Sequence, residues 1–450
     1  MSRLTTFAVV VGFAELLAGH IAQAQTHLVA LASFPQCADN SGGSSCQPST
    51  LVSDSNGNLY GVATYGGNTN CGTGGNVGCG TVFEYTSTAP RQLLTLYTFC
   101  PQAGCTDGSW PSGKLIIDQN GVLYGTTQAG GLAGQGTVFK LTPGGPFQPL
   151  YSFCWDVPYA CSTGAVPTTG LAYYCVGHQE QECTDGYDGT GPLFGTTSGG
   201  GTNNQGTVYE ISTPGAQANV IYNFNCGNSG CAPTTLTSDL QENLFGTTTY
   251  GGTGLNCPDS KCGTVFELSR NEQGGYTYAQ LVSFQDTCTP SPQCELLYPS
   301  GDVILDVSGN VWGTLQSGGV YGAGALYEYN ASNQQLSVSS FTDISNGDGP
   351  LAGLSYYGEG SEPFTYGSTV FGTTEYGTYD SGNYGVVFSA GLPQYAPTDI
   401  YTFSGLPPAG KYPATGVIVL NDSGGVVDIL GTDSYGGNNS SGEIFEVIQD

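Results

Sequence analysis

One phrase recurs seven times along this chain: a large apolar residue followed by Gly, most often Gly-Thr, then a glycine-rich loop, then Gly-Thr-Val-aromatic-Glu or a close variant. Its openings are Tyr60-Gly61, Tyr124-Gly125-Thr126, Phe194-Gly195-Thr196, Phe245-Gly246-Thr247, Trp312-Gly313-Thr314, Phe371-Gly372-Thr373 and Leu430-Gly431-Thr432. Successive glycines lie 64, 70, 51, 67, 59 and 59 residues apart. A long internal period of this kind means stacked copies of one supersecondary unit. The second copy shows what the unit is. Lys114 to Asp118, Val122 to Thr127, Thr137 to Leu141 and Pro149 to Phe153 read as four strands, rich in β-branched and aromatic residues. Asp118-Gln119-Asn120-Gly121 joins the first two, because Asn-Gly tolerates the positive φ of a tight hairpin. Four short strands per unit predict an all-β, seven-bladed β-propeller of four-stranded blades.

The two ends of the repeat array are complementary. His27 to Phe34 resembles the fourth strand of the other copies, while the last copy stops after its third strand, Gly442 to Val447. The N-terminal strand is therefore expected to complete the C-terminal blade, closing the ring and covering an edge that would otherwise template aggregation.

Ahead of that strand, Arg3, the apolar stretch Phe7 to Leu17 and Ala22-Gln23-Ala24 have the basic, apolar and small-residue order of a cleaved signal peptide. The expected division is residues 1–24 as signal peptide and residues 25–450 as one seven-repeat domain, secreted or periplasmic. No later stretch approaches the roughly 20 apolar residues of a membrane span, so membrane insertion is not expected. The charge of −28, from 35 acidic against 7 basic residues, repels phosphate backbones and anionic lipids, which argues against nucleic acid as a partner. No cofactor is implied, and a monomer is expected.

Sixteen cysteines fall into neighbouring pairs: Cys37/Cys46, Cys71/Cys79, Cys100/Cys105, Cys154/Cys161, Cys175/Cys183, Cys226/Cys231, Cys257/Cys262 and Cys288/Cys294. An even count in an exported chain predicts disulfides. Five pairs follow an aromatic strand ending, as in Tyr97-Thr98-Phe99-Cys100. Zinc is disfavoured, since no pair has C-x-x-C spacing or nearby histidines.

The repeat resembles the GloVer tandem repeat of secreted, choice-of-anchor bacterial proteins. Asp107-Gly108-Ser109-Trp110-Pro111, Asp118 through Thr127, Gly130-Gly131 and Gly136-Thr137-Val138-Phe139 carry the resemblance. The Asp-x-x-Gly-Asn-aromatic turn is also similar to regulator-type propeller repeats. The resemblance implies export and a repeat scaffold, and it brings no reaction with it.

Candidate chemistry is sparse. Asp54, Asp118, Asp239, Asp306 and Asp422 open turns, where an aspartate accepts backbone N–H groups of its own loop. Asp54 superficially starts a calcium loop, but Tyr65 stands where that loop needs a bidentate acid. The aromatic row Tyr60, Tyr124, Phe194, Phe245, Trp312 and Phe371 is expected to pack blade on blade. His178, with Glu180, Glu182 and Asp185, sits in an insertion that reads as a solvated loop, and no metal site is expected.

Variation concentrates just before the proline that opens each first strand, at Gln47, Trp110, Val166, Ala232, Tyr298, Gly349 and Tyr412. Variable residues on a fixed scaffold are where specificity is placed. Trp110, Tyr298 and Tyr412, with Asp107 and Asp348, are the candidate ligand-binding residues. The function expected is a secreted binding or scaffold propeller recognising a carbohydrate or a protein surface. Two alternatives stand beside it: a polysaccharide hydrolase or lyase using paired carboxylates, and a passive surface repeat protein. Catalytic residues are not identifiable.

Overall fold

The computed structural model describes residues 26–449 except 36, 38–45, 72–77, 156–160, 175–185, 213–216, 228, 254–261, 285–295, 343–346, 358–367, 378–383, 392–395, 406–409, 414, 422–426 and 438. Every sheet is a four-stranded antiparallel meander, and there are seven. Blade 1 comprises Val52–Ser53, Leu59–Ala63, Thr81–Tyr85 and Leu93–Thr98. Blade 2 comprises Ser109–Ile117, Leu123–Ala129, Thr137–Leu141 and Phe147–Ser152. Blades 3 to 6 begin at Ala172–Tyr173, Cys231–Ser238, Leu296–Leu305 and Ser355–Tyr356, and blade 7 begins at Ile418–Asn421. The protein is a seven-bladed β-propeller. In blade 2 the first strand starts five residues before the expected Lys114, because Ser109 and Pro111 already pair with Ala129 and Thr127.

Each element of the repeated phrase has a contact that accounts for it. The glycine of the aromatic-Gly opening lies opposite the third-strand aromatic, Gly125 facing Phe139 and Gly431 facing Phe445. A Cβ there would approach the ring to 2.7 Å and 2.5 Å, so only glycine lets the ring lie flat on the sheet. The glycine opening the third strand is governed by the next blade. Gly80, Gly136, Gly206, Gly263, Gly324 and Gly385 have φ between +85° and +98°, and a Cβ would come within 2.3–2.7 Å of a proline Cδ on the following blade. Those prolines are Pro111, Pro167, Pro233, Pro299, Pro350 and Pro413. Gly442 meets Pro48 in the same way at 3.4 Å, across the seam between blades 7 and 1.

Aromatic pairs repeat the same sevenfold contact. The phenylalanine ending each fourth strand meets the third-strand ring of the next blade edge-on: Phe99–Phe139, Phe153–Tyr209, Phe224–Phe266, Phe284–Tyr327, Phe341–Phe388, Phe403–Phe445 and, across the seam, Phe34–Phe83. Centroids are 4.9–5.4 Å apart, and each such pair adds about 0.5–1.5 kcal/mol beyond its buried area. The repeated threonine stitches neighbouring blades. Thr126, Thr314, Thr373 and Thr432 donate their hydroxyls to the carbonyls of Thr169, Ala352, Thr415 and Ser49, at 2.8–3.1 Å.

Ring closure follows the expected route. Thr26–Ser33 pairs antiparallel with Glu443–Gln449, with Leu28 opposite Val447 and Ala30 opposite Phe445. Blade 7 is thus assembled from both ends of the described chain.

Five of the expected disulfides are present: Cys37–Cys46, Cys71–Cys79, Cys100–Cys105, Cys154–Cys161 and Cys226–Cys231. Cys262 is disulfide-bonded as well. Cys175, Cys183, Cys257, Cys288 and Cys294 lie outside the described residues, as do residues 1–24, His178 with its neighbouring acids, and Asp422. Bridges in this number belong to chains that fold in an oxidising compartment. Among the described residues, no helix is long and apolar enough to cross a membrane.

Candidate functional site

The first segments of all seven blades surround one axis. Ser49, Lys114, Thr169, Thr234, Asp302, Ala352 and Gly416 line a narrow space of about 250 Å³ there. Thr235 Oγ1 donates to Asp302 Oδ1 at 2.8 Å. This part of the channel is small and lined mostly by glycine, threonine and serine, with Lys114 and Asp302 among them. It widens toward the residues that precede the inner strands.

Those pre-proline residues share an unusual backbone. Gln47, Trp110, Val166, Ala232, Tyr298, Gly349 and Tyr412 all have φ between +46° and +67°. Only one of the seven is glycine, although L-residues seldom adopt this region. The surrounding hydrogen bonds hold them there. The N–H groups of Trp110, Val166, Ala232, Gly349 and Tyr412 reach back to carbonyls of the preceding blade, at Cys79, Gln135, Gln205, Ala323 and Tyr384. With φ so set, the following proline seats on the glycine described above. Backbone strain of this kind persists where neighbours over-determine it.

The candidate residues from the sequence are not all gathered in one place. Tyr412 lines a cavity of about 530 Å³ at the wide end of the channel, together with Gln47, Ser49, Ser112, Glu375, Tyr376, Ser434 and Tyr435. Trp110 is half-buried, with its indole N–H donated to the Gly78 carbonyl at 3.3 Å. Tyr298 packs edge-on against Tyr250 at 6.0 Å. Asp107, on the loop entering blade 2, turns back onto the end of blade 1, accepting from the Tyr97 hydroxyl at 2.8 Å and the Cys100 amide at 3.1 Å. Asp348 exchanges both backbone hydrogen bonds with Tyr376 and so fixes the wall that carries that ring.

Tyrosines cluster at this cavity. The rings of Tyr376, Tyr384 and Tyr435 each lie edge-on to Tyr412, with centroids 5.9–6.1 Å away. Lys411 places its Nζ 5.7–5.8 Å from the centroids of Tyr384, Tyr412 and Tyr435. An ammonium over three ring faces is held by their quadrupoles. Burial, and then the neighbouring Glu375, raise the pKa of the Tyr376 phenol, which keeps it a hydrogen-bond donor.

The turn carboxylates are structural. Asp118 Oδ1 accepts from the amides of Asn120 and Val122, and its Oδ2 accepts from the buried Tyr124 hydroxyl at 3.1 Å. Asp54, Asp239 and Asp306 repeat the arrangement of Oδ1 with two amides of their own turns. Burial and the adjacent Asp118 together raise the Tyr124 pKa. The aromatic row from Tyr60 to Phe371 is buried throughout, so its rings fill the space between sheets. Sγ atoms of Cys71, Cys79 and Cys100 come within 4.8 Å of one another, but all three are in disulfides.

Residues 20–186 and 176–369 match the model of the Gloeobacter/Verrucomicrobia repeat. The chain belongs to that family. None of the curated proteins matches the sequence. Among solved structures it is similar to the extracellular domain of a hybrid two-component system from B. thetaiotaomicron, at 11% identity and a TM-score of 0.48. That match covers 92% of this chain and 40% of the other. A gluconolactonase from Xanthomonas campestris is similar at 11% identity and a TM-score of 0.40, over 78% of this chain and 87% of that one. A luciferin-regenerating enzyme is similar at 10% identity and a TM-score of 0.39, over 92% and 97%.

Blade 7 of this Gloeobacter/Verrucomicrobia repeat protein departs from a pattern shared by other blades. Where blades 2, 3 and 4 pair two buried threonines, Thr127 with Thr137, Thr197 with Thr207 and Thr248 with Thr264, blade 7 pairs Asp433 with Glu443. The signal was visible as Gly442-Glu443-Ile444-Phe445 standing in for Gly-Thr-Val-Phe, and Thr432-Asp433 for Thr-Thr.

Proposed function

We propose that this protein is exported through a cleaved signal peptide, residues 1–24, and that residues 25–450 form a binding propeller for carbohydrate. The ligand is taken at the wide end of the channel, beside blades 6, 7, 1 and 2. The observation that carries this reading is the cavity of about 530 Å³ in which Tyr376, Tyr412 and Tyr435 stand among hydroxyls of Ser49, Thr64, Ser112, Thr415 and Ser434 and the carboxylate of Glu375. A sugar offers apolar C–H faces for aromatic rings and hydroxyls for a polar rim, and rigid tyrosines supply contact area at low entropic cost. Trp110 and Tyr298 hold the same position in blades 2 and 5, so the rim extends to them around the ring.

Recognition is favoured over hydrolysis by the lining itself. Glycosidic cleavage works with two facing carboxyl groups, and among the described lining residues Glu375 is the acid present. The test is a glycan and polysaccharide array with product analysis, followed by titration of any hit against Tyr412→Ala and Glu375→Gln. Loss of binding by folded variants with unchanged melting temperature is the expected result. Full affinity in a folded Tyr412→Ala protein overturns the site, and released product overturns the binding-only reading.

A further inference from the structure

The blade-7 carboxyl pair lies where the ring is closed. Asp433 and Glu443 are opposite each other on adjacent strands, and Glu443 is also opposite Ser33 of the N-terminal closing strand. Both side chains are 0% exposed. Asp433 Oδ1 accepts from the Glu443 amide at 3.0 Å, as Thr127 Oγ1 accepts from the Thr137 amide in blade 2. There the likeness ends. In blades 2, 3 and 4 the two hydroxyls satisfy each other at 2.8–2.9 Å. In blade 7, Asp433 Oδ2 and both carboxyl oxygens of Glu443 have no hydrogen-bond partner. The amides of Gly410 and Lys411 lie close enough to favour the charged forms somewhat, but neither makes a hydrogen bond of ordinary geometry to these oxygens.

Two buried carboxylates side by side are strongly unfavourable unless something sits between or beside them. Among the described residues, the titratable side chain facing the pair is Tyr401, from the outer strand of blade 6; Lys411, on the loop entering blade 7, faces Asp433 with its backbone amide. Lys411 directs its ammonium to the three tyrosine rings. A hard divalent cation wants six or more oxygens. Here three are free, and Gly410 packs directly against Asp433 Oδ2. A proton requires no such shell.

We propose that the buried Asp433–Glu443 pair retains a proton that fastens the closing blade, and that its loss at alkaline pH loosens the two arms that carry Tyr412 and Tyr435. The arms attach to the pair directly. Asp433 precedes Ser434 and Tyr435, Gly410 and Lys411 precede Tyr412, and Lys411 and Tyr435 exchange backbone hydrogen bonds. The consequence for ligand affinity rests on the binding reading above, whereas the protonation and the loosening do not.

The sign follows from direction. Burial pushes the Glu443 carboxyl up to about 7, and burial together with the charge of Glu443 holds Asp433 well above the usual carboxylate range. The two titrate as a coupled unit. Groups raised in the folded state bind protons that the unfolded chain has released. The contribution of Glu443 is complete below about 4.5, its ordinary value, and is lost as pH rises through about 7; that of Asp433 is complete below 3.8 and falls in the same direction as pH rises.

The experiment compares melting temperature from pH 4.5 to pH 9 in the wild type and in Asp433→Thr/Glu443→Thr, which installs the pair used by blades 2 to 4. Asp399, pushed up to about 6 by burial, titrates equally in both proteins and cancels in the difference. The wild type should lose several degrees more than the variant on going from pH 5 to pH 8. Hydrogen exchange, corrected for intrinsic rate, should rise at 410–412 and 434–437 in the wild type alone. Should the double variant fail to fold, Glu443→Gln supplies the test, with a flatter pH profile expected. Parallel profiles for wild type and variant overturn the proposal. So does a rise in melting temperature with Ca²⁺ that the variant lacks, which would assign the pair to a cation. Neither outcome depends on a glycan binding.

Discussion

Replacing Gly136 by alanine tests the contact that spaces the blades, and the same loop contains its own control. Gly134 and Gly136 both have positive φ, +77° and +98°. A Cβ on Gly134 would meet nothing within 4 Å. A Cβ on Gly136 would stand 2.3 Å from the Thr127 carbonyl oxygen and 2.7 Å from Cδ of Pro167 on blade 3. Neither neighbour can swing aside, since one is backbone and the other a buried ring. Gly134→Ala should therefore cost only the left-handed penalty of an L-residue, about 1–2 kcal/mol. Gly136→Ala adds overpacking, about 1–3 kcal/mol more, for a total of about 2–5 kcal/mol. Urea unfolding followed by circular dichroism measures both. The double variant Gly136→Ala/Pro167→Ala should cost less than the sum of its parts, because the proline ring is one of the two obstructions. Equal losses for Gly134→Ala and Gly136→Ala, or strict additivity with Pro167→Ala, would refute the Gly–Pro lock as the device that sets blade spacing.

Two further outcomes follow from the seam and the bridges. Removing residues 26–34 leaves Glu443–Gln449 as an open edge and takes away the Phe34–Phe83 approach, so the truncated protein should melt well below the intact one and associate with rising concentration; an unchanged melting temperature and a monomeric elution profile would argue that the ring is closed by something else. Every described disulfide spans nine residues or fewer, so each constrains little chain, and mild reduction should open the loops while leaving most of the β-sheet signal; a cooperative collapse of the sheet signal on reduction would contradict local stapling.

Blade number, strand order and the route of closure were all legible in the sequence, because a propeller repeats its local chemistry. Gly125 under Phe139, Gly136 against Pro167 and Phe99 against Phe139 are each one instance of a contact made in every blade, so each left its mark seven times. The turn aspartates were legible for a related reason: Asp118 bonds amides two and four residues away, well within one hairpin. The candidate site belongs to another class. Repetition made Trp110, Tyr298 and Tyr412 look equivalent, and it could not say which sector of the ring opens into a cavity. That is decided by Gln47 and Tyr412 lining one cavity from either side of the seam, with Glu375 and Tyr376 from blade 6 beside them. The positive φ shared by the pre-proline residues was hidden too, since at Trp110, Val166, Ala232, Gly349 and Tyr412 it goes with hydrogen bonds to the preceding blade rather than with side-chain preference. The Asp433–Glu443 pair shows the division most sharply. The sequence contained two departures from a threonine pattern, ten residues apart. Only the pairing of their strands, and the burial produced when the N-terminal strand covers them, turns two unremarkable acids into one titrating unit at the closure of the ring.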